Sequence, residues 1–501
     1  MDRLIESLGS WKPFSALVVG DFMLDQHVYG NAERLSADAP VPILNVVRSE
    51  NRPGGAANVC LDLVALKGAA EAVGVAGSDP SALLLRQSLE GEGVSCGSLI
   101  EDRTRPTTVK QNLIGLAQSR HPQKMFRVDY ESSEPLPREA AARLLSAFRA
   151  QVGQVDVVCI EDYNKGVCTE ELCQGVIRAA REAGKPVLVD PARLEDYSKY
   201  RGATVITPNR TEAETATGLR TAHDSSDADH NARVAHALLS SLDLDAVVLT
   251  LDRHGAMLLE RDGLPVALPT VAREVYDVTG AGDMFLAALA AARANALGWN
   301  DSVRFANAAA GLEVEVFGVQ PIPLDRIHHF LLEQAGELAG KIRTIEQLRI
   351  EVEARRRLGK KIVFTNGVFD IIHTGHVTLL EEAAKLGDFL VVGLNSDAST
   401  RRLKPGRPIN AEADRARVVG SIGSVGAVTL FDSDTPADLI EAVKPDILVK
   451  GGDYSRERVV GADFVESYGG RVALIDLVAG KSTTSTINRL QRVDGRAGAG
   501  S

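Results

Sequence analysis

One segment of the sequence combines residue types and spacing that could transfer a phosphoryl group. It reads Asp277-Val278-Thr279-Gly280-Ala281-Gly282-Asp283 and is followed directly by the helix-like stretch MFLAALAAARANAL. Glycines at a helix start leave backbone N–H groups pointing outward beside the positive end of the helix dipole, which makes an anion site. In the first turn Asp283 could accept the proton of an attacking hydroxyl. The same position also suits a helix cap, so both roles stay open at this point.

A second segment, FTNGVFDIIHTGHVTLLEEAAKLG, places His373 and His376 three residues apart at or near a helix start. That spacing aims both imidazoles to one side, beside N–H groups that favour an anion. Two donors in this position could stabilise an α-phosphate under attack. A zinc site would need further Cys or His ligands, and the sequence from residue 360 onward has none. We therefore expect no zinc there.

Short apolar runs alternating with helix-like segments would position these residues. Such alternation predicts parallel sheets covered on both faces. A first series of runs comprises ALVVG (16–20), VDVVCI (155–160), PVLVD (186–190), TVIT (204–207) and AVVLTL (246–251). A second series comprises KIVFTNG (361–367), FLVVGLN (389–395), DILVKGG (446–452) and RVALID (471–476). The fold class predicted is α/β in both halves.

The length of 501 residues is too great for one ordinary core and predicts two domains. Between the two series, residues 333–359 are dense in charged, strong helix formers. We predict a first domain over residues 1–332, a helical linker over 333–359, a second domain over 360–492 and a disordered tail over 493–501.

Composition narrows the functional classes. With 45% hydrophobic and 25% charged residues the chain is typical of a soluble globular protein. A formal net charge of −11 argues against nucleic-acid or membrane partners, because either would favour a basic face. The five cysteines form no CxxC pair, and the N-terminus lacks the apolar run of a signal peptide. We expect a cytoplasmic protein.

The DVTGAGD segment resembles the signature of the ribokinase-like (PfkB) sugar kinases. The segments VVGDFMLDQHVYG, RPGGAANV and PNRTEAE match the same family in order and spacing, over about residues 10–325. The resemblance implies an ATP-dependent sugar kinase with Asp283 as catalytic base. The sugar-binding residues it implies are Asp25, Gly54, Gly55 and Asn58, with Lys165 as a phosphate contact. The ATP-binding residues it implies are Asn209, Arg210, Thr211, Glu212, Thr279, Gly280, Ala281 and Gly282, with Glu212 also facing Mg²⁺ through water.

The HTGH segment resembles the HxGH motif of the cytidylyltransferase-like superfamily, over about residues 360–490. This implies a smaller, Rossmann-like nucleotidyltransferase domain with His373 and His376 as catalytic residues. The nucleotide-binding residues it implies are Asn395, Asp397, Lys450, Ser482, Thr483, Thr484 and Arg489. Apart from the resemblance, the hydroxyls at 482–484 suit an N-cap cluster.

Joined in this order, the halves resemble the bifunctional heptose 7-phosphate kinases and heptose 1-phosphate adenylyltransferases of bacterial ADP-heptose synthesis. RLSADAPVP (34–42) and DYNKG (162–166) narrow the first half to that branch. The resemblance implies ATP and Mg²⁺ in both steps, sugar phosphates as small-molecule partners, a separate bisphosphate phosphatase and a homodimer. Two alternatives stay open: the same folds acting on another sugar or polyol phosphate or using CTP, and a sugar-phosphate sensor without activity.

Overall fold

The computed structural model describes residues 4, 8, 11–116, 122–222, 228–270, 279–315, 319–339, 341–357, 359–451 and 455–475. It divides into two compact units. One unit is Trp11–Ile327, and the other comprises His328–Ser501 with Met1–Ser10.

The first unit alternates strands and helices, and each run of the first apolar series forms a strand. The strands are β1 Phe14–Gly20, β2 Phe22–Leu35, β3 Pro42–Gly55, β4 Gly68–Ala76, β5 Leu99–Glu101, β6 Thr108–Gly115, β7 Gln123–Tyr130, β8 Val157–Glu161, β9 Val187–Asp190, β10 Val205–Ile206, β11 Ala246–Thr250, β12 Ala256–Glu260 and β13 Val266–Leu268. The helices are α1 Ala56–Ala65, α2 Pro80–Gly91, α3 Arg138–Gln151, α4 Glu170–Glu182, α5 Arg210–Thr217, α6 Ala228–Leu242, α7 Ala281–Ala294, α8 Trp299–Glu313 and α9 Leu324–Ala339, the last containing the division between the units.

Over the described residues, the main sheet has nine strands in the order β13-β12-β11-β10-β9-β8-β1-β4-β5. The seven strands from β11 to β5 are parallel, and β12 and β13 are antiparallel. The apolar side chains of β1, β8 and β9 are buried among helices on both faces, as expected of a parallel sheet. The carboxyl ends of these strands meet at one edge, where Asp21, Glu161 and Asp190 follow or end them.

A second sheet of four described strands, in the order β3-β2-β6-β7, begins where β1 ends. Strand β2 pairs with β3 antiparallel and with β6 parallel, and β6 pairs with β7 antiparallel. The apolar pattern predicted none of these strands, because they carry many polar side chains and lie largely at the surface. This four-stranded sheet places Asp25 opposite Lys110.

The second unit contains the strands of the second apolar series. Its strands are β14 Ile342–Arg343, β15 Ile362–Gly367, β16 Phe389–Asn395, β17 Ala427–Phe431, β18 Ile447–Gly451 and β19 Arg471–Ile475. Its helices are α10 Ile345–Arg357, α11 Thr374–Ala384, α12 Asp397–Leu403, α13 Glu412–Gly420, α14 Ala437–Val443 and α15 Ala462–Ser467. The described strands are all parallel, in the order β14-β17-β16-β15-β18-β19. The order reverses between β15 and β18, the point at which such sheets bind ligands.

The predicted linker contains structure that the sequence analysis did not foresee. Strand β14 pairs with β17, and Leu348 and Val352 of α10 lie in the core of the second unit. These two residues are four apart and so share one helix face. The composition of α10 did not indicate this face, because the face is narrow and most residues of the helix are charged or polar. Strand β14 and the apolar face of α10 therefore pack within the second unit. The predicted tail, 493–501, lies outside the described residues.

No helix within the described ranges is long and apolar enough to cross a membrane. The five cysteines are all free and buried.

Candidate active sites

The start of α7 has the glycine-dependent geometry of an anion site. Gly280 caps the helix with a φ of 91°, a left-handed conformation that favours glycine. An added Cβ at Gly280 would also approach Glu313 Oε1 at 2.7 Å. Thr279 and Gly282 are exposed, so the first turn faces solvent. The start of α7 can therefore receive an anion from outside, although Asp277 and Val278 lie outside the described residues.

The carboxyl group of Asp283 is bonded to side chains from other elements. Its Oδ1 accepts a hydrogen bond from Tyr163 Oη at 2.8 Å, and its Oδ2 accepts one from Asn58 Nδ2 at 3.0 Å. Burial raises its pKa to about 6, and the two hydrogen bonds act in the opposite direction. A carboxylate held in this way, with a pKa just below neutrality, suits a general base better than a helix cap.

The predicted sugar-binding residues lie around this carboxylate. A Cβ at Gly54 would come within 2.6 Å of Asp25 Oδ2, so a glycine is needed beside that carboxyl group. Gly55 caps α1 with a φ of 57°, which brings Asn58 into the first turn of the helix. The charge of Asp25 in turn acts on the pKa of Asp283. Asp25, Asn58 and Asp283 thus present polar groups suited to sugar hydroxyls.

The loop after β8 is held by Asp21. Its Oδ2 accepts from the backbone N–H groups of Tyr163 at 2.8 Å and Lys165 at 3.0 Å. Burial, followed by the charge of Asp162, raises the pKa of Asp21 to about 6. Lys165 Nζ forms an ion pair with Glu131 Oε2 at 2.7 Å. Asp21 therefore presents Tyr163 to the site, while the predicted phosphate contact Lys165 already has an acidic partner.

The predicted ATP segment forms the start of α5. Asn209 and Glu212 make a capping box, in which each side chain accepts from the other residue's backbone N–H, at 3.0 and 2.8 Å. Arg210 is buried and donates to Asp252 Oδ2 at 2.8 Å. Thr211 is exposed and accepts through its carbonyl from a neighbouring hydroxyl. The capping box and the ion pair fix the local backbone, and they leave the roles of these four residues toward ATP as predictions.

Carboxyl groups gather between α5 and α7. Burial raises the pKa of Glu161 and Asp190 well above the usual range, and the charge of Glu212 raises the pKa of both further. Glu161 Oε2 has no hydrogen-bond partner among the described residues. A Cβ on Gly282 would lie 3.3 Å from Asp190 Oδ2, so Asp190 borders the start of α7.

The carboxyl groups of this region are of the kind that binds Mg²⁺. Over the described residues, no three ligand-type side chains form a complete metal cluster. Mg²⁺ is ordinarily held by one or two carboxylates together with substrate phosphates, so an all-protein cluster is not required. Mutually repelling carboxyl groups beside an anion site fit a metal ion that arrives with ATP.

In the second unit the two histidines open α11. His373 is the N-cap, and its ring stacks on that of His376 with centroids 3.9 Å apart and 19° between the planes. Burial, and then the charge of His373, lower the pKa of His376 to about 4. Two adjacent imidazoles at a helix start can donate N–H groups to a phosphate.

Polar groups at the carboxyl ends of three strands line the point where the strand order reverses. Lys450, at the end of β18, donates to Asn366 Oδ1 at the end of β15. Burial lowers the pKa of Lys450 to about 8. Asn395, at the end of β16, donates to Ser399 Oγ at 3.0 Å. The remaining predicted nucleotide contacts, Ser482, Thr483, Thr484 and Arg489, lie outside the described residues.

Arg415 was not predicted from the sequence, and its side chain is wholly buried. It donates to Asp397 Oδ1 at 2.7 Å, to the Val368 carbonyl at 2.6 Å and to the Asn410 carbonyl at 3.0 Å. Arg415 therefore ties the loop before the histidines to the start of α12. A charged residue in a helical pattern ordinarily indicates a solvent-facing position, and only the packing reveals this one.

Tyr163 was also not predicted as a site residue, although it lies in the DYNKG segment. Its hydroxyl reaches Asp283 from an element 120 residues away in the chain. A tyrosine in a loop has no sequence pattern that identifies such a contact.

Fold and sites together define a carbohydrate kinase followed by a nucleotidyltransferase. A family model for pfkB family carbohydrate kinases matches residues 14–326, and a cytidylyltransferase-like model matches residues 364–479. The bifunctional protein HldE of Syntrophotalea carbinolica is 44% identical over 493 residues, which cover 98% of this chain and 99% of that protein. HldE of Geobacter sulfurreducens is 42% identical over 482 residues, 96% of each chain. The chain belongs to this family of bifunctional HldE proteins.

Solved structures agree with the fold of the first unit. Phosphofructokinase-2 from Escherichia coli, in complex with substrates and products, gives a TM-score of 0.52 at 19% identity. The match covers 65% of this chain and 100% of that protein. The predicted fold class, a ribokinase-like kinase followed by a smaller nucleotidyltransferase, is confirmed.

Proposed function

We propose that the chain catalyses two steps of ADP-heptose synthesis. The first unit transfers phosphate from ATP to the anomeric hydroxyl of D-glycero-D-manno-heptose 7-phosphate, which gives the 1,7-bisphosphate. The second unit transfers the adenylyl group of ATP to heptose 1-phosphate and releases pyrophosphate. The observation that carries this proposal is Asp283, held by Tyr163 and Asn58 at a glycine-rich helix start, on one chain with the stacked His373 and His376.

In the kinase step Asp283 accepts the proton of the anomeric hydroxyl while that oxygen bonds to the γ-phosphorus of ATP and the bond to the ADP oxygen breaks. Tyr163 and Asn58 keep the carboxylate oriented toward the hydroxyl. The N–H groups at the start of α7 stabilise negative charge on the transferred group. A pKa of about 6 leaves Asp283 mostly ionised at pH 7 and therefore able to accept the proton.

Both steps use ATP, and both use it with Mg²⁺. Bound Mg²⁺ would neutralise negative charge on the phosphates of ATP. In the first unit Glu212, through water, and Asp190 would be the carboxylates that hold it.

In the adenylyl transfer the sugar phosphate is itself the nucleophile, so no protein base is required. Its oxygen attacks the α-phosphate of ATP, and pyrophosphate leaves. His373 and His376 donate hydrogen bonds to the α-phosphate as charge builds up, and Lys450 supplies a positive charge nearby. A pKa of about 8 keeps Lys450 largely protonated at pH 7. Asn395 and Asp397 hold the start of α12 beside the nucleotide.

The two steps imply an additional enzyme. The kinase product carries two phosphates, whereas the acceptor of the second step carries one. A separate phosphatase must remove the 7-phosphate between the steps. The five free, buried cysteines fit the reducing cytoplasm as the location of all three reactions.

We also propose that the chain is a homodimer. The four-stranded sheet exposes the apolar side chains of Leu35, Val46, Val47 and Phe126, each between 55% and 69% exposed. Exposed apolar surface of this kind is typical of a protein interface. Light scattering after gel filtration should give twice the chain mass, and Phe126→Glu should shift the protein toward the monomer.

The proposed function is tested by product analysis. Purified chain is incubated with ATP or CTP and a panel of six- and seven-carbon sugar phosphates, and the products are identified by mass. The expected products are heptose 1,7-bisphosphate from heptose 7-phosphate, and ADP-heptose from heptose 1-phosphate. Preference for another sugar phosphate, or for CTP in the second step, would support the alternative of the same folds acting on other substrates.

A further inference from the structure

One face of the four-stranded sheet carries a row of cations beside the kinase site. Asp25 of β2 lies opposite Lys110 of β6, and Lys110 lies opposite Asp129 of β7. Two residues further along the strands, Asn112 of β6 lies opposite Arg127 of β7. Side chains two apart on a strand share a face, so Lys110 and Arg127 lie on the same side of the sheet as Asp25.

A β-bulge adds a third cation to this face. Lys124 and Arg127 are three residues apart and would point to opposite faces of a regular strand. The register of β6 and β7 shifts between Leu113 and Ile114, which places Lys124 opposite Ile114. Ile114 is two residues from Asn112, so Lys124 joins Arg127 on the face of Asp25. All three cations lower the pKa of Asp25, against the effect of its burial.

The first of these cations reaches the reaction centre. Lys110 Nζ lies 4.6 Å from the centre of the Tyr163 ring, whose hydroxyl donates to Asp283. Arg127 is one row further away, about 7 Å at the usual rise along a strand. The row therefore begins beside the catalytic carboxylate and extends outward by a distance on the scale of a sugar.

Two of these cations, Lys110 and Arg127, have N–H groups that a ligand could still bind. Lys110 forms no ion pair with a carboxylate among the described residues. Arg127 binds Asp129 through Nε and Nη2, both at 2.8 Å, and 56% of its side chain is exposed. Lys165, the phosphate contact that the resemblance implies, is only 19% exposed and is paired with Glu131.

We propose that Lys110, Lys124 and Arg127 form the subsite that holds the acceptor's own phosphate group while the hydroxyl at its other end faces Asp283. This inference rests on the proposed kinase function. Asp129 takes Nε and one N–H of Nη2, so the edge formed by Nη1 and Nη2 of Arg127 can bond two oxygens of a phosphate dianion. The long side chains of Lys110 and Lys124 flank Arg127 from the adjacent rows. The enzyme then selects sugar phosphates over free sugars by a charge at a fixed distance from the base.

The test compares the wild-type chain with the double variant Lys124→Gln/Arg127→Gln. Arg103→Gln is the matched control, because Arg103 is also exposed and bonds a carboxylate two residues away, Glu101, at 2.9 Å. Kinase kcat/KM is measured with heptose 7-phosphate and with the same sugar lacking the phosphate. The double variant should lose about 10- to 100-fold on the phosphorylated acceptor, mainly through KM, because bonds to a charged group are lost.

Activity on the unphosphorylated sugar should stay within about twofold, and the control should match wild type on both acceptors. Inorganic phosphate should compete with heptose 7-phosphate in the wild-type chain and lose that effect in the double variant. Melting temperatures should agree, since substitutions of exposed side chains ordinarily change stability little.

Three results would contradict the proposed phosphate subsite. Undiminished kcat/KM on heptose 7-phosphate in the double variant would leave the proposed function standing and remove the subsite. An equal loss on both acceptors would assign these residues a structural role instead. A wild-type chain that phosphorylates no sugar phosphate would remove the proposed function and the subsite together.

Discussion

Replacing Tyr163 by Phe removes one hydrogen bond to the catalytic carboxyl group and little else. The hydroxyl donates to Asp283 Oδ1 at 2.8 Å and helps to hold down a pKa that burial raises to about 6. The variant should therefore raise the pKa of Asp283, and with it the pH at which the kinase becomes active.

The size of the effect follows from the energy of such a bond. A hydrogen bond to a charged group contributes about 1.5 to 3 kcal/mol, and one pKa unit corresponds to about 1.4 kcal/mol. The pKa of Asp283 should then move to roughly 7 to 8 in the variant. A base works when ionised, so kinase activity at pH 7 should fall about two- to tenfold and return toward the wild-type value above about pH 9.

The assay is the pH dependence of kinase kcat/KM, which reports on groups of the free enzyme. Tyr200→Phe is the matched control, because its hydroxyl donates to a different buried carboxyl group, Asp162, at 2.7 Å. The control should keep the wild-type acid limb near pH 6. If Tyr163→Phe lowers the rate equally at every pH without moving that limb, the assignment of Asp283 as the titrating base is wrong.

Three further results are expected. EDTA should stop both activities and added Mg²⁺ should restore them, whereas rescue by Zn²⁺ alone would contradict the mechanism. Fragments 1–335 and 340–501, each with its own buried core, should be soluble and carry the kinase and the adenylyltransferase respectively; if circular dichroism shows both unfolded, the division is misplaced. Because the pKa of His376 is lowered to about 4, kcat/KM for adenylyl transfer should not fall as the pH rises from 5.5 to 7; a fall near pH 6.5 would mean that a protonated imidazole acts there.

The sequence predicted those parts of the fold that depend on the pattern of residues close together in the chain. Each of the nine apolar runs became a strand. Most of these strands are buried on both faces and so need a continuous run of Val, Ile and Leu, whereas the edge strand β19 is exposed or half-buried. The glycines before Asp283 and the spacing of His373 and His376 predicted two helix starts for the same local reason.

What the sequence could not show depends on contacts between distant segments. The four-stranded sheet has mixed polar strands, and its bulge, which turns Lys124 toward Arg127, leaves no pattern in the residues. The bond from Tyr163 to Asp283 depends on the packing of two distant elements. The burial of Arg415 contradicts the usual preference of its side chain for solvent and follows only from the carbonyls and carboxylate that surround it.

The two active sites should fail independently when each loses its principal group. Asp283→Asn keeps size and much of the hydrogen bonding but cannot accept a proton, and general-base catalysis contributes about 10² to 10⁴ in rate. Asp283→Asn should not lower the melting temperature at pH 7. Its carboxyl pKa is about 6 in the folded chain against an ordinary 3.8, so ionisation near neutrality opposes folding.

The most direct measurement assays both activities in full-length Asp283→Asn and His376→Ala. Asp283→Asn should lose kinase activity by about 10² to 10⁴ and keep adenylyl transfer to heptose 1-phosphate. His376→Ala should lose adenylyl transfer by about 10² to 10³ and keep the kinase. A folded Asp283→Asn chain with kinase activity within a few-fold of wild type, or a substitution that abolishes both activities in a folded chain, would contradict two independent sites in one protein.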